Sequence, residues 1–296
     1  NSAIDPGSGV GGHGGARITT AGQLDAEGEV TATGSDLFAT AGQVDSVLID
    51  ADGVVAQVLA MGNITLADGS NAPANASTMI NGVVQTSGAT AMIMVSGERD
   101  VVIGAFGDIV SVNGAITITA DTSAGLNGGV VLMADGGSVS SGTGQIMIAA
   151  DGNITLGSLS TGSTSDNAVE LTTTSGAIVD GGDNGTDVIA NSGGLIIRSD
   201  TGVGVGNAIE TSVAKVDAEN SAAGALHLSE SDDVIIEALS QLDAGYILFE
   251  SSAGTVEVVA SGSGVAGREN VRLASLSQDV IINADVVSGT GNITLD

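Results

Sequence analysis

Carboxylates in glycine-rich turns are the residues of this chain best suited to chemistry. Asp180, Asp183 and Asp187 lie in the segment VDGGDNGTDVI, and Asp232 and Asp233 lie in SESDDVI. Carboxylate and carbonyl oxygens are the ligands that Ca²⁺ prefers, and the first segment resembles a single glycine-rich calcium-binding nonapeptide with one extra residue. The five aspartates are therefore predicted calcium ligands. The competing interpretation is that Asp is a good turn-forming residue and serves only that purpose here.

Nucleophilic catalysis requires a histidine held beside a Ser, Thr or Cys side chain. The chain contains two His and no Cys, so neither thiol chemistry nor a disulfide framework is available. His13 lies in a glycine-rich segment, and His227 alternates with two leucines, which predicts that its ring points away from the core. We therefore expect no catalytic residues and no enzymatic activity.

Cofactor motifs are equally weak. The pattern GxGxxG occurs from Gly7, from Gly9 and from Gly262, and the last copy follows a strand-like segment and precedes Asp285. A dinucleotide fingerprint also needs a helix after its glycines, and no amphipathic helix is indicated here. We read these glycines as turns and expect no cofactor other than calcium. A polysaccharide lyase or hydrolase remains the alternative enzyme class, although sugar-binding subsites usually use aromatic and basic side chains, of which this chain has few.

The charge balance excludes several partners. The chain has 35 acidic and six basic residues and a formal net charge of −29. Nucleic acid and anionic membrane surfaces would be repelled. No apolar stretch is long enough for direct membrane insertion. Close lateral packing of several copies would need divalent cations or high salt.

The elements that position these residues are short strands. A phrase of Gly, one small or polar residue and an aliphatic alternation recurs at residues 62–66, 114–118, 144–148, 152–156, 224–228 and 291–295. Each phrase predicts a strand of about four or five residues bounded by turns. Glycine corners are frequent and two-residue hairpin signals are scarce, which favours a parallel β-solenoid over an antiparallel sandwich. We expect an all-β, elongated rod forming one domain over residues 1–296, with about 20 residues per coil and on the order of 14 coils.

One segment carries a family resemblance. Residues 202–239 are similar to a phrase that recurs in giant repetitive bacterial surface proteins of the filamentous haemagglutinin-like kind. The matching positions are Ile209, Glu210, Thr211, Val213, Ala218, Asn220, Gly224, Leu226, Leu228, Glu230 and Asp232, while Ala208 replaces the usual proline. The resemblance implies a right-handed parallel β-helix, export from a bacterial cell and a role in adhesion, biofilm or extracellular fibres. It implies no catalytic residues.

Two non-enzymatic functions follow as expectations. The first is a structural or adhesive module at a bacterial cell surface, forming a portion of a longer extracellular protein or processed from one. It would bind a host or surface ligand through loops such as residues 68–77 or 157–167. The second is a fibre or sheath subunit that associates end to end, because residues 291–296 continue the strand pattern without a polar cap.

Overall fold

The computed structural model is an all-β parallel solenoid of about 10 turns. It describes residues 58–67, 77–121, 128–182 and 185–296 with their side chains and, before residue 58, the backbone of the strands given below. Among these residues no helix has the length and apolarity needed to span a membrane. The predicted all-β parallel fold is confirmed.

The chain divides into two compact units, Asn1–Thr161 (unit 1) and Gly162–Asp296 (unit 2). The described strands of unit 1 are β1 (Ser2–Ile4), β2 (Val10–Gly12), β3 (Ala16–Thr19), β4 (Leu24–Ala26), β5 (Glu29–Ala32), β6 (Leu37–Thr40), β7 (Val47–Ile49), β8 (Gln57–Ala60), β9 (Ile64–Ala67), β10 (Ser77–Ile80), β11 (Val83–Thr86), β12 (Ile93–Gly97), β13 (Asp100–Ile103), β14 (Asp108–Ser111), β15 (Ile116–Ala120), β16 (Val131–Met133), β17 (Ser138–Ser141), β18 (Ile146–Ala150), β19 (Ile154–Leu156) and β20 (Ser158–Thr161). The described strands of unit 2 are β21 (Val169–Thr173), β22 (Ile178–Asp180), β23 (Val188–Ser199), β24 (Ile209–Asn220), β25 (Leu226–Glu230), β26 (Val234–Gln241), β27 (Ile247–Ser251), β28 (Val256–Val258), β29 (Gly264–Gly267), β30 (Val271–Ser275), β31 (Val280–Ile282), β32 (Val286–Ser288) and β33 (Ile293–Leu295). The prediction of one domain over residues 1–296 stays a prediction.

The coils of unit 1 have three sides. Every third strand pairs in parallel, which gives one ladder through β10, β13, β16 and β19, a second through β11, β14, β17 and β20, and a third through β9, β12, β15 and β18. Side chains alternate between core and solvent along each strand, as β geometry requires. Equivalent inward residues therefore stack from coil to coil, as in the fully buried column Ile64, Ile93, Ile116 and Ile146.

The coils are longer than predicted. The chain advances 23 residues from Ile93 to Ile116 and 30 residues from Ile116 to Ile146. In unit 2 the advance is 21 residues from Leu226 to Ile247 and 24 from Ile247 to Val271. The estimate of about 14 coils was therefore wrong, because three sides and their corners take more residues than the assumed 20.

Corners are closed by an inward hydroxyl. The Oγ atom of Ser111 accepts a hydrogen bond from the backbone N–H of Gly114 at 2.9 Å, and Ser141 does the same for Gly144 at 2.9 Å. The pattern recurs in unit 2, where Ser251 Oγ accepts from Gly254 N at 3.0 Å. The glycine is needed for close approach, because a Cβ at Gly114 would lie 1.8 Å from the carbonyl oxygen of Ala91.

Unit 2 uses longer strands. The strands β23 and β24 pair in parallel with a register shift between Ala190 and Gly194, and β24 continues the ladder to β25 and β26. A further ladder runs through β25, β27, β30 and β33. These ladders place the end of β22, the start of β23 and the start of β24 at one corner, where three acidic residues meet.

Candidate functional site

Two of the predicted calcium ligands lie together. Asp180, Asp187 and Glu210 each offer a carboxylate oxygen, and these atoms all lie within 4.8 Å of one another. We call these three residues the carboxylate cluster. Asp183 lies outside the described residues. Asp232 and Asp233 lie at a different corner, and neither belongs to the cluster.

The backbone fixes the carboxylate cluster. Asp187 directly precedes β23, and its backbone N–H donates to the carbonyl oxygen of Glu210 at 2.9 Å. The N–H of Glu210 in turn donates to Asp187 Oδ2 at 2.9 Å. Asp180 ends β22, where its Oδ1 accepts from Gly182 N at 3.0 Å and its Oδ2 accepts from the amide of Asn207. Adjacent coils therefore hold the three carboxyl groups together.

The electrostatics of the cluster favour a bound proton or cation. Asp187 is 3% exposed, and burial raises its pKa to about 8. The hydrogen bond from the Glu210 N–H opposes this shift, while the charges of Asp180 and Glu210 add to it. An all-oxygen donor set suits a hard cation such as Ca²⁺. The three carboxylates fit part of such a coordination shell, and water and carbonyl oxygens would supply the rest.

Glu210 was missed as a ligand. It lies 23 residues after Asp187 and outside any aspartate-rich turn. Only the coil register brings it opposite Asp187, and that register was not assigned from sequence. The signal that could have found it is the pairing of Val188 with Thr211, one position further along both strands.

A second buried carboxyl belongs to Glu230, at the end of β25. It is 1% exposed and accepts hydrogen bonds from Thr211 Oγ1 at 2.8 Å and from the N–H groups of Val213 at 3.2 Å and Ser231 at 2.8 Å. Burial raises its pKa to about 7, against the opposing effect of the Thr211 and Ser231 donors. Its hydrogen bonds join adjacent coils, so its role in the described structure is structural.

The remaining aspartates of the prediction serve the backbone. Asp233 Oδ1 accepts from the N–H of Thr255 in the next coil at 2.7 Å. The N–H of Asp232 donates to Glu230 Oε1 at 3.3 Å. The turn-forming interpretation therefore describes this corner.

The other candidates for chemistry lie on strands. His227 is an outward residue of β25, and partial burial lowers its pKa while the charge of Glu250 opposes that shift. His13 lies outside the described residues. The GxGxxG match at residues 262–267 runs into β29, where Val265 N donates to the carbonyl oxygen of Asp285 at 2.9 Å in the next coil. This glycine-rich segment is a corner and strand, as predicted.

An apolar row lies on the outer face of the first ladder of unit 1. Met79 pairs with Val102, and Val102 pairs with Leu132, so the three side chains stand side by side on consecutive coils. Met79 and Leu132 are 38% and 43% exposed. We call this row the apolar stripe. In a chain of net charge −29, contiguous exposed apolar groups indicate a contact surface.

The outer face of the third ladder forms a second surface. Its outward residues on β9, β12, β15 and β18 are Thr65, Ala67, Met94, Ser96, Thr117, Thr119, Met147 and Ala149, which are all uncharged. Met94 is 50% exposed and Met92, just before β12, is 45% exposed. We call these residues, together with Met92, the methionine face.

Unit 2 presents charged outer faces. Arg198 donates to both carboxylate oxygens of Asp217 in the next coil, at 3.0 and 2.7 Å. Lys215 Nζ lies 2.6 Å from Asp166 Oδ1 and 3.6 Å from Glu237 Oε1. In β30, Arg272 pairs with Glu250 in β27 and with Asp296 beyond β33. These pairs run along the ladders and join neighbouring coils.

The predicted contact loops are not those surfaces. Residues 68–76 lie outside the described residues. Residues 158–161 form β20 and pair with β17, so this part of the predicted loop 157–167 is a strand of the coil. That prediction was wrong because Ser and Gly at this position form a corner and a short strand.

Comparison with known proteins adds no assignment: no family model, no curated protein and no solved structure matches the chain. The β-solenoid part of the family resemblance is confirmed by the model. The resemblance to filamentous haemagglutinin-like proteins stays a prediction.

Proposed function

We propose that the chain is a non-enzymatic structural and adhesive β-solenoid exposed on the outside of a bacterial cell, with the apolar stripe as its contact surface. The observation that carries this proposal is the exposure of Met79, Val102 and Leu132 on consecutive coils of unit 1. Outward positions of a solenoid are free to be polar, since they do not stabilise the core. An uninterrupted apolar row therefore needs a partner to remove it from water.

The stacked coils support a structural role. Inward aliphatic side chains form columns, and inward hydroxyls close the corners. The basic residues Arg198, Lys215 and Arg272 are engaged in ion pairs between strands of the solenoid or its corners. Side chains with chemical potential are thus used to hold coils together, as suits a scaffold.

Adsorption tests the adhesive role. A quartz-crystal microbalance would compare retention of the chain on methyl-terminated and hydroxyl-terminated monolayers. We expect retention on the methyl-terminated surface that falls in the double variant Met79→Ser with Leu132→Ser. The matched control is Leu242→Ser with Leu276→Ser, which removes two exposed leucines of unit 2 that do not belong to the stripe. Equal losses in the two double variants, or no loss in either, would contradict the proposal.

End-to-end association is the second candidate function. Ile293 and Leu295 of β33 continue the core columns of Val271 and Leu273, yet they are 44% and 47% exposed. A further coil stacked on β33 would cover them and pair its backbone, and this candidate requires that coil to come from a second copy. Sedimentation velocity would then show assembly that increases with concentration and is abolished by Leu295→Asp. A monomer at every concentration contradicts this candidate.

Calcium binding is proposed for the carboxylate cluster. The specific observation is the convergence of Asp180, Asp187 and Glu210 within 4.8 Å. We expect Ca²⁺ to raise the Tm of unit 2, a chelator to reverse the rise, and Asp187→Asn to abolish it. Asp233→Asn is the control, since its retained oxygen can still accept from Thr255 N. An unchanged Tm in the presence of Ca²⁺ contradicts the site.

A further inference from the structure

The methionine face of unit 1 is bounded along one edge by acidic residues. Gly97 pairs with Ala120, which brings Glu98 opposite Asp121 in the next coil. The pairing of Thr119 with Ala149 brings Asp121 opposite Asp151 in the coil after that. The three acidic residues therefore form a column parallel to the methionines.

The corner beside this column holds one cation. Arg99 Nε lies 3.4 Å from Asp100 Oδ2, so this guanidinium is directed to a fourth acidic residue. The corner therefore carries an excess of negative charge. The methionine face itself has no charged outward side chain on β9, β12, β15 or β18.

The methionine side chains give the face its binding chemistry. Met94 pairs with Thr117, and Thr117 pairs with Met147, so the two methionines stand one coil apart on either side of a threonine methyl group. Thioether side chains are flexible and polarizable and adapt to apolar partners of different shape. Threonine and alanine keep the remainder of the face low, so a partner can lie flat across it.

From this juxtaposition we propose that the methionine face binds a cationic amphipathic polypeptide segment, which lays its apolar side on Met92, Met94 and Met147 and its Lys or Arg side chains along the acidic column. The apolar contact supplies affinity, and the acidic edge fixes orientation and excludes acidic partners. A second copy of this chain is a poor occupant, because its own net charge is −29. The inference deepens the proposed adhesive function by naming a class of partner for a face that does not include the apolar stripe.

Three labelled peptides would test the inference by fluorescence anisotropy on the full chain. The first alternates Leu and Lys, the second Leu and Glu, and the third Ser and Lys. We expect saturable binding of the Leu/Lys peptide only. Binding of the Ser/Lys peptide with equal affinity would reduce the interaction to charge attraction and overturn the proposal.

Variants locate the binding surface. Met94→Ser with Met147→Ser should weaken binding of the Leu/Lys peptide about tenfold, a change of about 1.4 kcal/mol. Asp151→Asn should weaken it less and reduce its salt dependence. Met79→Ser with Leu132→Ser is the matched control and should leave the affinity unchanged. Equal Tm values for all variants would show that the fold is retained.

The outcomes separate this inference from the proposed function. If adsorption to methyl-terminated surfaces depends on the apolar stripe but peptide binding ignores Met94 and Met147, only the present inference fails. If peptide binding depends on these methionines but adsorption is unaffected by Met79 and Leu132, only the role of the stripe fails.

Discussion

Unit 1 and unit 2 share the same stacked-coil principle but use their two sides of the strand differently. In the described part of unit 1, the third ladder has an uncharged outer face and the core columns are aliphatic. Unit 2 carries ion pairs outside and the buried carboxyl groups of Asp187 and Glu230 inside. Parallel stacking therefore fixes the strand geometry, while the outward positions are left free for contact in one unit and for cross-strand pairing in the other.

The largest effect should be a pH dependence confined to unit 2. Glu230 has a folded-state pKa of about 7 against an ordinary value of 4.5. Between these values the unfolded chain loses its proton while the folded chain keeps it, so the free energy of unfolding falls as pH rises through this window. The expected change is roughly 3 kcal/mol.

Hydrogen exchange at a series of pH values, corrected for intrinsic exchange rates, would measure this change separately in the two units. Glu230→Gln should flatten the slope in unit 2, although its amide faces the N–H of Val213 and lowers stability throughout. A slope of the same size in unit 1 would remove the contrast between the interiors.

A smaller effect should follow from a corner glycine of unit 1. Gly114→Ala would place a Cβ against the Ala91 carbonyl, which forces the backbone of two coils apart and costs about 2 kcal/mol. The control is Gly182→Ala in unit 2, where φ is +108° and no atom lies within 4 Å of the added Cβ. This control should cost about 1 kcal/mol from backbone strain alone.

Denaturant unfolding would compare the two glycine variants. A larger loss for Gly182→Ala than for Gly114→Ala would show that close stacking of corners is not what the glycines of unit 1 provide.

The smallest effect should come from the outer ion pairs of unit 2. Arg198→Met removes the paired hydrogen bonds to Asp217 and should cost less than about 1 kcal/mol, because both side chains are partly exposed. The loss should shrink in high salt. Urea unfolding at two salt concentrations checks this, and a cost that is independent of salt would argue that Arg198 acts through packing.

The strands and their parallel arrangement could be predicted from sequence because each signal is local. The phrase at residues 144–148 alternates aliphatic and small side chains after a glycine, and it forms β18 with that alternation. The number of coils could not be predicted, since it depends on how many residues three sides and their corners require. The inward serines at corners, such as Ser111 and Ser141, were missed although each lies three residues before a glycine.

The candidate site was predictable only in part. Asp180 and Asp187 were found because aspartates in glycine-rich turns are visible along the chain. Glu210 joins them from the next coil, and its position depends on the register of β23 against β24. The apolar stripe and the methionine face have the same origin, because their members are spaced by whole coils of unequal length.

The central claim is that coils stack in parallel and in register, and pairs of introduced cysteines test it most directly because the chain has none of its own. Thr117 and Met147 are outward partners on β15 and β18, whereas Thr117 and Ala149 are offset by two residues. We predict that Thr117→Cys with Met147→Cys oxidises readily to an intramolecular disulfide, and that Thr117→Cys with Ala149→Cys does so far more slowly. Equal rates, or faster oxidation of the offset pair, would contradict the parallel register on which both proposed surfaces depend.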